Sequence, residues 1–287
     1  MLLKELYTNS IKLLKDKGIL TANLDVKILL AFLLNIDNKE IINYLDNEIS
    51  NEFFNNFQKL LSRRLNREPI ANIIGKKAFW DHDFIVNENV LTPRPDSETL
   101  IEAVLENYKD KDQKLNILDL GTGSGCLILT LLSIYQNSQG LAIDISDKAL
   151  EIAKQNAKLL NINSIKFLKN NWNDNINEKF DIIISNPPYI PKKEIEDLEP
   201  EVNKYNPLLA LDGGNDGLDC YKYLAENLQK NCKRDTKIFL EIGKNQENYI
   251  TKIFKNNEFE LLKMYKDING IVRVLEFKKI QISKQFK

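Results

Sequence analysis

Four consecutive residues, Asn186-Pro187-Pro188-Tyr189, follow directly on the apolar run Phe180-Asp181-Ile182-Ile183-Ile184-Ser185 and combine the groups needed to hold an amino nitrogen. An asparagine side-chain oxygen beside a main-chain carbonyl offers two acceptors for one –NH₂ group, the part shared by a carboxamide and an exocyclic base amine. Isoleucine-rich runs bounded by a turn signal read as buried strands. Two prolines cannot continue such a strand, because each lacks the N–H that a sheet ladder uses. Pro187 also biases the residue before it toward extended backbone. Asn186 is therefore expected at the carboxyl end of a strand, the edge at which open α/β sheets bind ligands. Taken alone, the four residues also fit a plain Asn-Pro turn.

A second cluster implies a nucleotide-like ligand. Asn116 to Leu120 reads as a strand that runs into Gly121-Thr122-Gly123-Ser124-Gly125 and then into the helical pattern starting at Cys126. Glycines at alternate positions let the backbone approach a ligand and expose N–H groups at a helix start. The spacing differs from the dinucleotide Gly-x-Gly-x-x-Gly pattern, so the glycines alone are a weak signal. A second short strand, Gln139 to Asp144, ends in a carboxylate nineteen residues past Gly125. That offset suits an acid that meets a ribose hydroxyl pair. The competing role for Asp144 is the cap of the next helix, for which Ser146 and Asp147 are equally suited.

With Asn171-Trp172 between them, these motifs carry a family resemblance. The order Asp119-Leu120-Gly121-Thr122-Gly123-Ser124-Gly125, Asp144, Asn171-Trp172 and Ser185-Asn186-Pro187-Pro188-Tyr189 resembles class I methyltransferases that act on amino groups. More closely, the chain is similar to the release factor glutamine methyltransferases. Supporting segments are Arg67-Glu68-Pro69-Ile70, Gly75 through Trp80, Leu91 through Glu98, Pro200-Glu201-Val202 and Gly213 through Leu218. Tyr205-Asn206-Pro207 departs from the Tyr-Glu-Pro more usual in the family.

The resemblance implies S-adenosyl-L-methionine as cofactor, held by Gly121, Thr122, Gly123, Ser124, Gly125, Asp144, Trp172 and Asn186. It implies a catalytic set of Asn186, Pro187 and Tyr189, with Pro188 added to these for substrate contact. The reaction implied is methyl transfer to the glutamine amide nitrogen of the Gly-Gly-Gln tripeptide in class-1 peptide chain release factors, giving N5-methylglutamine and S-adenosylhomocysteine. Tyr189 is expected against the acceptor amide, and Trp172 by the adenine, although a core tryptophan is the plain alternative. Arg94 and Glu98 are expected at the entrance. Two other functions fit parts of the pattern: an adenine-N6 methyltransferase on nucleic acid, with Tyr189 stacked on a flipped base, and a non-catalytic cofactor-binding scaffold.

Composition narrows the class. With Lys+Arg 40 against Asp+Glu 41, the formal charge of −1 lacks the basic excess of an autonomous nucleic-acid binder, so no direct nucleic-acid contact is expected. No run approaches the roughly 18 apolar residues of a membrane span, and Glu5 interrupts any secretory pattern at the start. Three cysteines without paired spacing fit a reducing, cytoplasmic setting and neither a disulfide framework nor a metal site. Cys126 reads as a small apolar residue that opens a packed helix, and the only histidine, His82, is given no role. A monomer is expected.

The elements that must position these residues fall into blocks. Residues 1–75 carry helical periodicity, broken at Asp16-Lys17-Gly18 and Asn35-Ile36-Asp37, and read as a small helical bundle that would dock the release factor. Within it Asp25 reads as an acid near a helix start after Thr21, and the charges as a solvated face. Residues 76–92 read as a hairpin-like connector. Residues 93–280 alternate strands with helices, which predicts an α/β, doubly wound, mostly parallel, Rossmann-like sheet. Its strands are expected near 116–120, 140–144, 164–168, 181–185 and 237–242, with a late strand over 271–277 that the resemblance puts antiparallel at the sheet's edge. Residues 281–287 read as a basic tail.

Overall fold

The computed structural model describes residues 1–281, and the basic tail expected at 281–287 lies outside the described residues from Ile282 onward. Four helices open the chain: α1 (Leu3–Asp16), α2 (Ala22–Leu34), α3 (Asn51–Leu65) and α4 (Ile70–Ile74). A hairpin of β1 (Lys76–Phe79) and β2 (His82–Ile85) follows. Then come α5 (Glu98–Asn107), β3 (Asn116–Leu120), α6 (Cys126–Ile134), β4 (Gln139–Asp144), α7 (Asp147–Leu159), β5 (Ile165–Lys169) and β6 (Phe180–Ser185). A long loop carries the one-turn helix α8 (Pro200–Asn203), and the chain ends with α9 (Asp219–Asn227), β7 (Cys232–Glu241), α10 (Glu247–Asn256), β8 (Phe259–Lys266) and β9 (Val272–Lys279).

The chain divides into two compact units, one of residues 1–76 with 199–205, the other of 77–198 with the chain from Asn206 onward. In the first unit the apolar stripes of α1, α2 and α3 meet in a core of Leu3, Leu6, Leu14, Val26, Leu29, Leu30, Phe57 and Leu61. Helix α2 stops at Asn35, which takes the left-handed conformation (φ 54°) that asparagine tolerates better than most residues.

One charge in this unit departs from the solvated-face reading. Asp25 is 4% exposed, accepts from the Thr21 hydroxyl at 2.9 Å and pairs with Arg64 at 2.7 Å. Arg64 in turn reaches Glu201 at 3.0 Å, and Arg67 reaches the other Glu201 oxygen at 2.8 Å. Buried charges persist when they are paired and hydrogen-bonded, and here a partner lies 137 positions away in sequence, beyond any local pattern. Replacing Arg64 by Met should destabilise this unit by about 3 kcal/mol, because Asp25 then loses its cationic partner inside the fold. Urea unfolding checks the loss, and amide exchange should quicken in residues 199–205 at the same time.

The second unit is built on a seven-stranded sheet of order β5-β4-β3-β6-β7-β9-β8, parallel from β5 through β7 and antiparallel thereafter. Alternation along β6 explains its isoleucines: Ile182 and Ile184 join the core under α5 and α6, whereas Ile183 joins the opposite core with Tyr221 and Leu224 of α9 and Ile250 and Phe254 of α10. A strand covered on both faces has no polar side to alternate with.

The predicted late strand is β9, antiparallel to β7, but it does not form the edge. Strand β8 lies outside it, with register shifts between Leu261 and Lys263 and between Tyr265 and Lys266. Those irregularities, and the mixed Phe-Glu-Leu-Leu-Lys-Met-Tyr-Lys sequence, break the period-two signal that would have revealed β8. Among the described residues no helix is long and apolar enough to cross a membrane.

Candidate active site

Strands β3 and β6 are neighbours, yet β3 leads outward to β4 and β5 while β6 leads to β7 on the other side. The direction of winding reverses between them, which opens a crevice at their carboxyl ends. Register places the two motifs side by side there: Leu120 pairs with Ser185, and the Ser185 hydroxyl donates to the Leu120 carbonyl at 2.6 Å. The next residue on one strand is Gly121, and on the other Asn186.

The glycine turn is held from β4. Gly121 and Thr122 donate their N–H groups to the Ile143 carbonyl at 2.9 and 2.8 Å, and Gly123 donates to Asp144 Oδ2 at 2.9 Å. Gly121 and Gly123 take φ of 74° and 54°, backbone that a side chain would strain. Asp119, 1% exposed at the end of β3, accepts from the Thr122 hydroxyl at 2.7 Å and leaves Oδ1 without a hydrogen-bond partner. Burial pushes its carboxyl up to about 7, against the bond from Thr122.

Asp144 Oδ1 accepts from the Ser146 N–H at 2.9 Å, but the cap of α7 is Ser146, whose hydroxyl accepts from the Ala149 N–H at 3.2 Å. The helix-cap alternative for Asp144 therefore falls to its neighbour. Burial raises the Asp144 carboxyl above the usual range, opposed by the N–H groups of Ser146 and Gly123.

A cleft of about 260 Å³ opens at this point, room for a nucleoside-sized ligand rather than a few waters. Of the residues singled out in the sequence, Gly121, Thr122, Gly123, Ser124, Asp144, Trp172, Asn186 and Pro188 line it. Trp172 lies over the turn, since a Cβ added to Gly121 would sit 3.6 Å from its ring. Gly125, Pro187 and Tyr189 are not among the lining residues. Gly125 instead lies where a Cβ would press on Leu129 at 3.0 Å and Ala153 at 3.3 Å, so it serves the packing of α6.

Tyr189 packs against the core beneath α9 and α10, and burial drives its phenol well above the ordinary range. The turn it ends is clamped through the backbone. Gln246 donates to the Tyr189 carbonyl at 3.0 Å, and a Cβ on Gly217 would come within 2.4 Å of that same oxygen. The Gly213 through Leu218 segment thus has glycine where the Asn-Pro-Pro-Tyr backbone passes closest.

The far wall is made by Leu91, Thr92, Pro93, Arg94 and Ser97 together with Pro207, Leu209 and Asp212. Of the two residues expected at the entrance, Arg94 is exposed and lines the cleft, but Glu98 turns away and accepts from the Trp80 N–H at 3.0 Å. Asn206, 7% exposed, accepts from the Thr92 N–H at 3.4 Å and so joins the two stretches of this wall, a structural task that an amide oxygen performs as well as an acid. Cys126 also lines the cleft, yet burial pushes its thiol up to about 12, which leaves it protonated and without nucleophilic character. His82 shares a hydrogen bond with Ser133 Oγ at 2.9 Å, on the hairpin. Among the described residues no group of three or more His, Cys, Asp or Glu is placed to hold a metal ion.

Comparison with known proteins matches both halves of this picture. A family model described as the PrmC N-terminal domain matches residues 5–75, and one described as the Methyltransferase small domain matches 95–200. A release factor glutamine methyltransferase from Caulobacter vibrioides is 37% identical over 264 residues, covering 91% of this chain and 91% of that protein. The chain belongs to the release factor glutamine methyltransferase family. A protein named bifunctional methyltransferase, from Rickettsia felis, is 35% identical over 312 residues, covering 99% of this chain but 59% of its own length. The chain thus spans about three-fifths of the bifunctional relatives it matches. A solved methyltransferase from Pyrococcus furiosus shares the fold, with a TM-score of 0.53 at 18% identity over 78% of this chain and 100% of the other.

Some residues of the site have no signature in the sequence of this family member. Leu209, Ala210, Asp212 and Asn170 carry no motif and reach the cleft only because loops after β5 and β6 fold back over the sheet edge. A long loop after a strand that ends in a ligand motif is the signal that could have found those after β6.

Proposed function

We propose that this chain transfers a methyl group from S-adenosylmethionine to the side-chain amide nitrogen of the Gly-Gly-Gln glutamine in class-1 peptide chain release factors, giving N5-methylglutamine and S-adenosylhomocysteine. The observation that carries this reading is Asn186: it sits one residue beyond β6 and lines the cleft beside the glycine turn. Family membership supports the choice of glutamine over adenine as acceptor.

The cleft fits the cofactor. Asp144 offers a carboxylate suited to ribose hydroxyls, Trp172 a flat apolar face for adenine, and Gly121 and Gly123 the absence of side chains that a close approach needs. When bound, the cofactor supplies an electrophilic methyl on a sulfonium.

The protein's own contribution is orientation. A carboxamide nitrogen is a poor nucleophile because its lone pair is delocalised, so holding it in place accounts for much of the rate. Asn186 Oδ1, which lines the cleft, accepts one N–H of the glutamine, and the Pro187 carbonyl, set back from the lining, accepts the other as the acceptor amide enters the turn. These bonds tighten as positive charge grows on the nitrogen, which stabilises the transition state more than the ground state. A glutamate acceptor has no N–H to offer and brings its own charge toward two oxygens, so it is rejected. Tyr189 supports the turn from beneath, and the helical unit, through the region that matches the PrmC N-terminal domain, docks the release factor. The enzyme works without a metal, in the cytoplasm, as a monomer.

The test is mass spectrometry of a recombinant class-1 release factor after incubation with the protein and S-adenosylmethionine. One added methyl on the Gly-Gly-Gln peptide is expected. Methyl transfer to an adenine-containing DNA duplex in place of the release factor would overturn the reading.

A further inference from the structure

Glu241 is the least expected residue near the site. It ends β7, is 2% exposed, and its Oε2 has no hydrogen-bond partner. A carboxylate in such a place costs stability unless something nearby uses it, and packing alone would be served by an apolar side chain of similar volume. Its surroundings supply a use.

Strands β6 and β7 pair in parallel with Ser185 opposite Leu240. One step further along both strands, Asn186 and Glu241 stand as neighbours at the carboxyl edge of the sheet. Asn186 Nδ2 donates to Ser97 Oγ at 3.3 Å, and both the Ser97 hydroxyl and the Asn186 amide bear on the Glu241 carboxyl as hydrogen-bonding groups. Burial pushes that carboxyl up to about 7, against Ser97, the Arg273 guanidinium and Asn186, with Asp96 adding to the rise. Tyr189, Tyr221 and Cys126 feel its charge from the turn, from α9 and from α6. Asn186 lines the cleft; Glu241 does not. The five residues after Glu241 already serve the same turn, because Gly243 N–H holds the Gln246 side chain at 2.9 Å while Gln246 holds the Tyr189 carbonyl.

An asparagine amide has two faces of nearly equal shape. Flipped one way it turns an oxygen to the cleft; flipped the other way it turns an NH₂ there, which repels the N–H groups it is meant to accept. Above a pH of about 7, where the Glu241 carboxyl is ionised and acceptor-only, the wrong flip would aim Oδ1 at a carboxylate, which removes that ambiguity.

We propose that Glu241 is a positioning residue: with Ser97 it engages the NH₂ of Asn186 so that Asn186 Oδ1 is the atom presented to the acceptor amide. This rests on the reading under Proposed function and extends it to a residue that never touches substrate.

The experiment is single-turnover methyl transfer to release factor, with cofactor affinity and thermal unfolding, for Glu241→Leu, Glu241→Gln and Ser97→Ala, each alone and combined with Asn186→Ala. Glu241→Leu is expected to slow transfer by about tenfold or more, in line with loss of a partner that orients a reacting-site group, with cofactor affinity within about twofold. Glu241→Gln, whose amide oxygen still accepts from Asn186, should stay within a few-fold of the parent, and Ser97→Ala should fall between the two. In the Asn186→Ala background all three should add almost nothing, since the residue they position is gone. Losses that multiply in that background, or a Glu241→Gln variant as impaired as Asn186→Ala, overturn the proposal, and the Gln and Ala variants decide it even if the Leu variant does not fold. A parent enzyme that leaves the release factor unmethylated overturns the functional reading and this one with it.

Discussion

Asn186→Ala should lower single-turnover methyl transfer by about 10²-fold or more, the scale of losing one positioned polar partner of a transition state. Cofactor affinity should change far less. The split follows from geometry: Asn186 stands past the end of β6, and the glycine turn that faces it is held independently by the Ile143 carbonyl and Asp144. Folding should also survive. The neighbouring Ser185 makes the sheet contact, donating to the Leu120 carbonyl at 2.6 Å, while the Asn186 side chain bonds to Ser97 at the long distance of 3.3 Å and bears on the Glu241 carboxyl, neither of which is a sheet contact. Rapid-quench transfer to release factor, with calorimetric titration of cofactor and circular dichroism, checks all three. Transfer near the parent rate would take Asn186 out of the mechanism and leave Asn-Pro-Pro-Tyr as a strand-ending turn.

The second large effect belongs to Asp144. Removing a charged hydrogen-bond partner of a ribose costs about 1.5–3 kcal/mol, roughly ten- to hundredfold in dissociation constant. The structure adds a complication that decides how the test is run, because the same carboxylate also accepts from Gly123 and Ser146 and so stiffens the glycine turn. Two ligands separate the roles. Asp144→Ala should weaken S-adenosylhomocysteine by that factor, yet weaken an analogue without the 2′ and 3′ hydroxyls much less. Equal losses for both ligands would assign Asp144 to the turn alone.

The sequence by itself determined the chemistry-bearing residues and the elements that end on them. Pro187 and Pro188 terminate β6 by lacking N–H groups, and alternate glycines open the backbone after β3; both are local consequences of covalent structure. Continuous burial of Ile182, Ile183 and Ile184 likewise follows from composition, and it implied a strand covered on two faces. Short-range rules sufficed for these.

What only the tertiary structure decided involves partners distant along the chain. The sequence does not say that Ser146 rather than Asp144 caps α7, because both types cap equally well and the choice depends on the helix starting at Asp147. It does not reveal that β8 lies outside β9, since strand order depends on pairing and β8 lacks a clean period. Nor does it mark Asp25 and Arg64 as buried, because a charged residue looks solvated until its counter-ion, Arg64 for Asp25 and Glu201 for Arg64, folds in from elsewhere. Glu241 is the sharpest case. In the sequence it is one acid among 41, and only the parallel register of β6 on β7 sets it beside Asn186. Motifs record what a residue type can do, whereas register and burial decide what stands next to it, and the energy of a buried polar group depends on that neighbour.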